Sequence, residues 1–141
     1  MKTPNLKRQA IEARARARRE LMQLLYQWQI TGDSAANTLA RRFQHHPDLD
    51  EDYFAAAWHG ITANPQALEE KYQPYMSRKA ERLDPVERAI LWVGAWELAN
   101  RPDIHPTVTL NEAIEMAKQF GADDSYKFIN GTLDKLAKSI K

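Results

Sequence analysis

Apolar residues recur three and four positions apart along most of this chain, the spacing that lines one face of an α-helix. Leu21, Leu24, Leu25 and Trp28 form one such stripe. Leu110, Ala113, Ile114, Ala117 and Phe120 form a second, and Ile129, Leu133, Leu136 and Ile140 a third. The segment 86–98 is apolar nearly all round, with Val86, Ala89, Ile90, Leu91, Trp92, Val93, Trp96 and Leu98, as expected of a helix at the centre of a bundle. Between the stripes stand helix-end signals. Asn64-Pro65 and Asp84-Pro85 each place a capping side chain before a proline preset for the first helical turn. Asp84 to Glu87 and Thr109 to Glu112 have capping-box spacing. Asp50 is placed to cap one helix, Gly121 to stop another, and Asp123 or Asp124 to cap the last. The pattern predicts seven helices, at about 5–31, 34–45, 49–63, 65–78, 84–101, 109–120 and 124–139, and no strand. The expected fold class is all-α.

A length of 141 residues suits one domain, and a chain of that size buries roughly two-thirds of the surface its unfolded form exposes. There is no cysteine, which excludes disulfides, thiolate metal sites and cysteine nucleophiles. The N-terminus lacks the apolar run of a signal peptide, and the longest apolar run, "AILWVGAW" (89–96), is too short to span a bilayer. A cytoplasmic protein is expected. The formal charge is only +1, but residues 1–20 carry seven bases against two acids, a net +5, and leave the remainder at −4. A phosphate backbone would feel that local field.

Four of the seven bases lie in "IEARARARREL" (11–21), whose alternation of arginine and alanine has the period of a strand. Alanine is depleted in strands, however, and both residue types are strong helix formers. At 3.6 residues per turn, Lys7, Arg14 and Arg18 fall with Leu21, Leu25 and Trp28 in one stripe about 80° wide. One helix therefore carries a face that is basic in its first half and apolar in its second. Burying unpaired arginines would cost several kcal/mol each, so the basic half is expected to project past the core while the apolar half anchors it. Two uses remain open: a solvated helix end kept for solubility, or a grip for a polyanion. Cations at a helix N-terminus oppose the helix dipole, which favours a use.

"QHHPDLDED" (44–52) holds two histidines and four acids, raw material for a metal site, but Pro47 and an Asp50 cap explain it as a loop. No metal or cofactor is expected. His59 and His105 have no carboxylate or nucleophile at telling spacing, and no Gly-rich phosphate loop, nucleophile elbow or HExxH is present, so an enzyme is not expected. Tyr26, Trp28, Trp58, Trp92 and Trp96 read as core residues. Glu69, Glu70, Glu81, Glu87 and Glu97 read as helix-surface charges, or as an acidic face for a basic partner.

The C-terminal third adds a sharper signal. "VERAILWVGAWEL" (86–98) followed by "TVTLNEAIEMAKQFGADDSYKFINGTLDKL" (107–136) closely resembles the bacterial transcription antitermination factors of the NusB family. "ARARRELMQLLYQWQ" (15–29), "DYFAAAWHGI" (52–61) and "YMSR" (75–78) extend the resemblance over essentially the whole chain. It implies one domain, 1–141, of two packed helical subdomains, about 1–63 and about 64–141. It also implies a binding factor that recognises the boxA element of nascent ribosomal transcripts. That factor works with NusE, a protein of the small ribosomal subunit, and loads onto RNA polymerase with other Nus factors to suppress termination.

Carried over by position, the resemblance implies RNA contacts at Arg14, Arg16 and Arg18 and at Asp124, Ser125, Lys127 and Phe128 of the "FGADDSYKF" turn. It implies a NusE-facing surface at Tyr26, Glu81 and Glu87. Arginines neutralise phosphates and a phenylalanine face stacks on a base, although Phe128 has a helical register that also suits the core. Two positions depart from the family pattern. Ala15 and Trp92 stand where the family often has arginine, which is expected either to weaken phosphate contact or to shift it to Lys7, Arg8 and Arg19. The family includes monomers and homodimers, the latter hiding the arginines. Two other readings stay open. One is a helical adaptor that binds only protein. The other is an accessory RNA-binding domain of an RNA-modifying system, disfavoured because no S-adenosylmethionine motif is present.

Overall fold

The computed structural model describes residues 5–42 and 48–140. Among the described residues there are seven α-helices, two short 3₁₀ turns and no strand. The helices are α1 (Leu6–Thr31), α2 (Ala35–Ala40), α3 (Glu51–Ala63), α4 (Pro65–Tyr72), α5 (Pro85–Asn100), α6 (Pro106–Phe120) and α7 (Ser125–Ser139).

Their starts follow the capping chemistry. The side chains of Asn5, Ser34, Asp50 and Asn64 each accept a backbone N–H three residues on. Asp84 and Glu87 form a complete capping box on α5 behind Pro85. α1 runs 26 residues because it is composed mostly of good helix formers, with no Gly or Pro before Gly32, which takes a left-handed φ of 67° and ends it.

Three helices differ from their expected bounds. α2 stops at Ala40 rather than 45, because Arg42 turns back: its N–H bonds the Leu39 carbonyl and its guanidinium grips Glu20 and both oxygens of Glu51. Residues 43–47 lie outside the described residues. α4 ends at Tyr72 and tightens into a 3₁₀ turn over Gln73–Tyr75, because Pro74 has no N–H to donate. α6 begins at Pro106, not at 109. His105 caps it through Nδ1, and Thr109 is inside the helix and buried. The expected capping box Thr109–Glu112 therefore does not form, and the Thr109 hydroxyl is spent on Glu97.

α5 is the axis of the molecule, as its all-round apolar sequence requires. Ala89 through Trp96 are all buried, and α1, α3, α4, α6 and α7 pack around it. Its contact with α7 is close at Gly94, where a Cβ would lie 2.6 Å from a Leu133 methyl. Trp58, Trp92 and Trp96 are buried and Trp28 is half-buried against them, whereas Tyr26 is 38 % exposed rather than core. Trp28 stacks edgewise on Trp58 and tilts onto Trp92, with centroids 6.1 and 5.8 Å apart. These contacts fix the C-terminal half of α1 on α3 and α5. The first three turns of α1 run beyond that anchor, with Leu6 74 % and Ile11 58 % exposed. No helix among the described residues is long and apolar enough to cross a membrane.

Candidate nucleic-acid interface

The projecting half of α1 carries most of its basic side chains to the surface. Lys7 and Arg8 are exposed on the first turn. Arg8 bonds Glu12 at 3.3 Å, and Arg16 reaches the other oxygen of that carboxylate at 3.8 Å. Arg14, one third exposed, bonds Asp50 at 3.4 Å, while the Asp50 N–H donates to the Ala13 carbonyl at 3.1 Å. The start of α3 is thus tied to α1 beside the arginines. Partly exposed pairs at 3.3–3.8 Å contribute about 1 kcal/mol or less, so these guanidinium groups can be transferred to phosphate at little cost.

Arg18 is different, and the expectation that it projects from the core is corrected. Its side chain is 3 % exposed, and Nε donates to Glu97 Oε1 at 2.7 Å. The Tyr53 hydroxyl donates to the same oxygen at 2.7 Å, and the Thr109 hydroxyl donates to Oε2. Burial opposes the charge on Arg18, but the hydrogen bond and attraction of Glu97 outweigh it and raise its pKa. Burial and the neighbouring carboxylate push the Tyr53 phenol well above its ordinary value. Arg18 is therefore the buried end of the basic stripe, neutralised by a carboxylate 79 positions away, and does not reach the surface. Glu97 is correspondingly not a surface charge.

Arg101, which the sequence did not single out, joins this region. Its guanidinium lies 5.7 Å from the Tyr53 ring centroid, with Arg14 at 6.0 Å and Arg18 at 5.4 Å. Arg101 forks onto Asp103 at 2.9 and 2.8 Å and holds that carboxyl down to about 2.

The second expected contact region surrounds the turn into α7. Asp124 occupies the N-cap position with φ 69° but makes no side-chain cap bond; instead it pairs with exposed Lys127 at 3.4 Å. Phe128 is half-buried beneath the Arg78 guanidinium, 3.9 Å above its ring. Ser125 is 3 % exposed, and its hydroxyl donates to Glu87 Oε2 at 3.0 Å, so it sits in the interior rather than on the turn's surface.

Glu87 is likewise corrected from an exposed acid of a partner surface. It is 2 % exposed, accepts the Asp84 N–H at 3.2 Å and receives both Arg78 nitrogens at 3.2 and 2.8 Å. Tyr26 and Glu81 do lie at the surface. Glu87 and Glu97, which organise the two regions, are ten residues apart on α5, about 15 Å. The arginines of α1 and the cluster around Phe128 therefore do not form one pocket; a ligand touching both must be extended.

Trp92 is buried between α4 and α5, where its indole N–H donates to Glu69 Oε1 at 3.2 Å, the oxygen that also holds Arg88 at 2.8 Å. That position faces a carboxylate inside the fold, so its tryptophan removes no surface phosphate contact. Ala15 is half-buried on α1. Of the possible metal loop, His45 and His46 lie outside the described residues, and Asp50 caps α3. Among the described residues no three His, Asp or Glu side chains are grouped to hold a metal ion. His59 is exposed on α3.

The chain is similar to known proteins along nearly all its length. It is 44 % identical over 132 residues to the transcription antitermination protein NusB of Alcanivorax borkumensis, covering 92 % of this chain and 87 % of that one. It is 46 % identical over 131 residues to the protein of the same name from Psychromonas ingrahamii, covering 91 % and 90 %. Among solved structures, T. maritima NusB matches with a TM-score of 0.79 at 30 % identity, covering 98 % of this chain and 93 % of that chain. The model of the NusB family matches residues 15–138. The chain belongs to the NusB family.

Proposed function

We propose that this protein is a transcription antitermination factor that binds boxA-type RNA of nascent ribosomal transcripts together with NusE, and so helps RNA polymerase suppress termination. The observation that carries the reading is the projecting half of α1, with Lys7 and Arg8 exposed and Arg14 and Arg16 held, among the described residues, by long and partly exposed ion pairs, in a chain whose relatives bear that name. Lys127, beside the half-buried Phe128 ring and the Arg78 guanidinium that covers it, supplies a second contact region, while Arg18 and Ser125 hold the frame. Tyr26 and Glu81 offer NusE a surface whose acid complements a basic protein. The activity is binding, with no catalytic step and no cofactor, and its place is the cytoplasm.

The test is an anisotropy titration with boxA RNA and a scrambled RNA, each with and without NusE, at several salt concentrations. The expected result is tighter binding to boxA, strengthened by NusE, with log K falling linearly in log salt by about 0.7 per phosphate neutralised. A variant with both Arg14 and Arg16 changed to Glu loses this binding; Arg18 is left alone because its removal damages the fold. Capture of NusE with no affinity for either RNA would favour the protein-only adaptor instead.

A further inference from the structure

Arg8, Arg14, Arg16 and Arg18 of α1 each face a carboxylate. Arg19 is the exception: among the described residues it makes no ion pair. It is half-buried in an open groove between α1 and the C-terminal end of α6, lined also by Arg16, Gln23, Gln119 and Phe120. The one acid there, Glu20, is already bound by Arg42. The groove therefore presents an uncompensated guanidinium, two primary amides and an aromatic edge. A second depression, lined by Lys118, Gly121, Asp123 and Tyr126, lies at the turn that follows α6, whose residues Gln119 and Phe120 line the first. Lys118 and Lys127 place their ammonium groups 5.0 and 5.9 Å from the Tyr126 ring centroid.

The geometry points to this groove as the path of a single RNA strand between the basic helix and the α7 turn, with Arg19 as its principal phosphate contact and Tyr126 as a stacking platform for one base. The inference rests on the RNA-binding reading; it gives the phosphate contact expected at Arg19 a place in the fold and adds Gln23, Gln119 and Tyr126, which that reading does not assign. A ligand touching both regions must reach along the roughly 15 Å of α5 between Glu87 and Glu97, at about 1.5 Å of rise per residue, which suits an extended strand. Gln23 and Gln119 carry both donors and acceptors for base edges. Asp123 and Asp124 beside Tyr126 repel phosphate, so a base occupies that end while its phosphates are drawn to the flexible lysines, which leave the ring as it is covered. Stacking on an aromatic ring tolerates any base, whereas the amides are positioned to choose among them.

The experiment uses the full chain and the boxA RNA titration above, with melting temperature recorded for each variant. Arg19→Gln is expected to weaken binding about tenfold and to make the slope of log K against log salt shallower by about 0.7. Tyr126→Leu is expected to weaken binding about tenfold without changing the slope, because it removes stacking and not charge. Tyr126→Phe recovers most of that loss, which separates ring stacking from a general effect on the turn. Lys138→Gln removes the same charge at the far end of α7, where Lys138 pairs with Asp134, and leaves binding unchanged. If the parent protein binds RNA with steep salt dependence but Arg19→Gln and Tyr126→Leu leave affinity and slope intact, the groove is not the path and the RNA reading survives. If those substitutions weaken NusE binding instead, the groove serves protein and the inference is overturned. If the parent protein binds no RNA, inference and reading fall together.

Discussion

Arg18 shows how one side chain can belong to a basic motif and to a core at once. On the helical wheel it lies in the stripe of Leu21 and Leu25, and its guanidinium follows those leucines inward because Glu97 waits there with Tyr53 and Thr109 also bonded to it. The pair is fully desolvated, so removing one partner strands the other. Arg18→Ala is expected to lower unfolding free energy by about 3–5 kcal/mol in urea titration. Replacing both partners, Arg18→Met with Glu97→Gln, should recover much of the loss. Arg14→Ala, which breaks a partly exposed pair with Asp50, should cost about 1 kcal/mol or less. A large effect at Arg14 together with a small one at Arg18 would contradict the assigned environments.

The helices owe their starts to local chemistry and their exact approach to single small residues. Asp50, Asn64 and Asp84 were legible as caps because the capping bond spans only three residues, so nothing distant can alter it. α4 and α6 departed from expectation where a proline fell at a point that spacing alone did not weigh, Pro74 cutting one helix short and Pro106 starting the other early. The α3–α5 contact depends on Gly60, where a Cβ would press on Trp96 Nε1 and lie 3.0 Å from its Cδ1. Trp96 is itself wedged edge-on against Tyr53, with ring centroids 5.7 Å apart, so the indole has no easy retreat. Gly60→Ala should therefore destabilise the fold by about 1–3 kcal/mol in thermal unfolding, although alanine is the better helix former by about 1 kcal/mol.

The molecule as a whole is one connected hydrophobic cluster reaching from α1 to α7, and its pH response should reflect that. Tyr53 and Tyr72 are both buried in it, and burial, with Glu97 adding at Tyr53 and Glu69 at Tyr72, pushes both phenols above their ordinary 10.0. The native state thus holds these protons more tightly than the unfolded chain does. Their contribution is fully present below pH 10.0 and is lost as the pH rises beyond it, because only the unfolded chain then gives up the protons. The melting temperature should fall steadily above that pH, and phenolate absorbance from two of the five tyrosines should appear only as the protein unfolds. Phenolate from all five in the folded protein would show these two rings to be accessible.

Helix number, the central place of 86–98 and the anchoring of a basic helix by Leu21, Leu25 and Trp28 all follow from periodicity and caps, which act over three or four residues and so are written in order along the chain. The same order shows that the N-terminal twenty residues concentrate positive charge. It does not show which of those charges are free. Arg18 meets Glu97 across 79 positions and Ser125 meets Glu87 across 38, whereas Arg19, next in sequence to Arg18, meets no carboxylate among the described residues. Such pairings depend on how α1, α5, α6 and α7 pack, and packing sorts neighbouring arginines by the direction each side chain leaves the helix. Adjacent residues on a helix diverge by about 100°, enough to send Arg18 into the core and Arg19 to the groove.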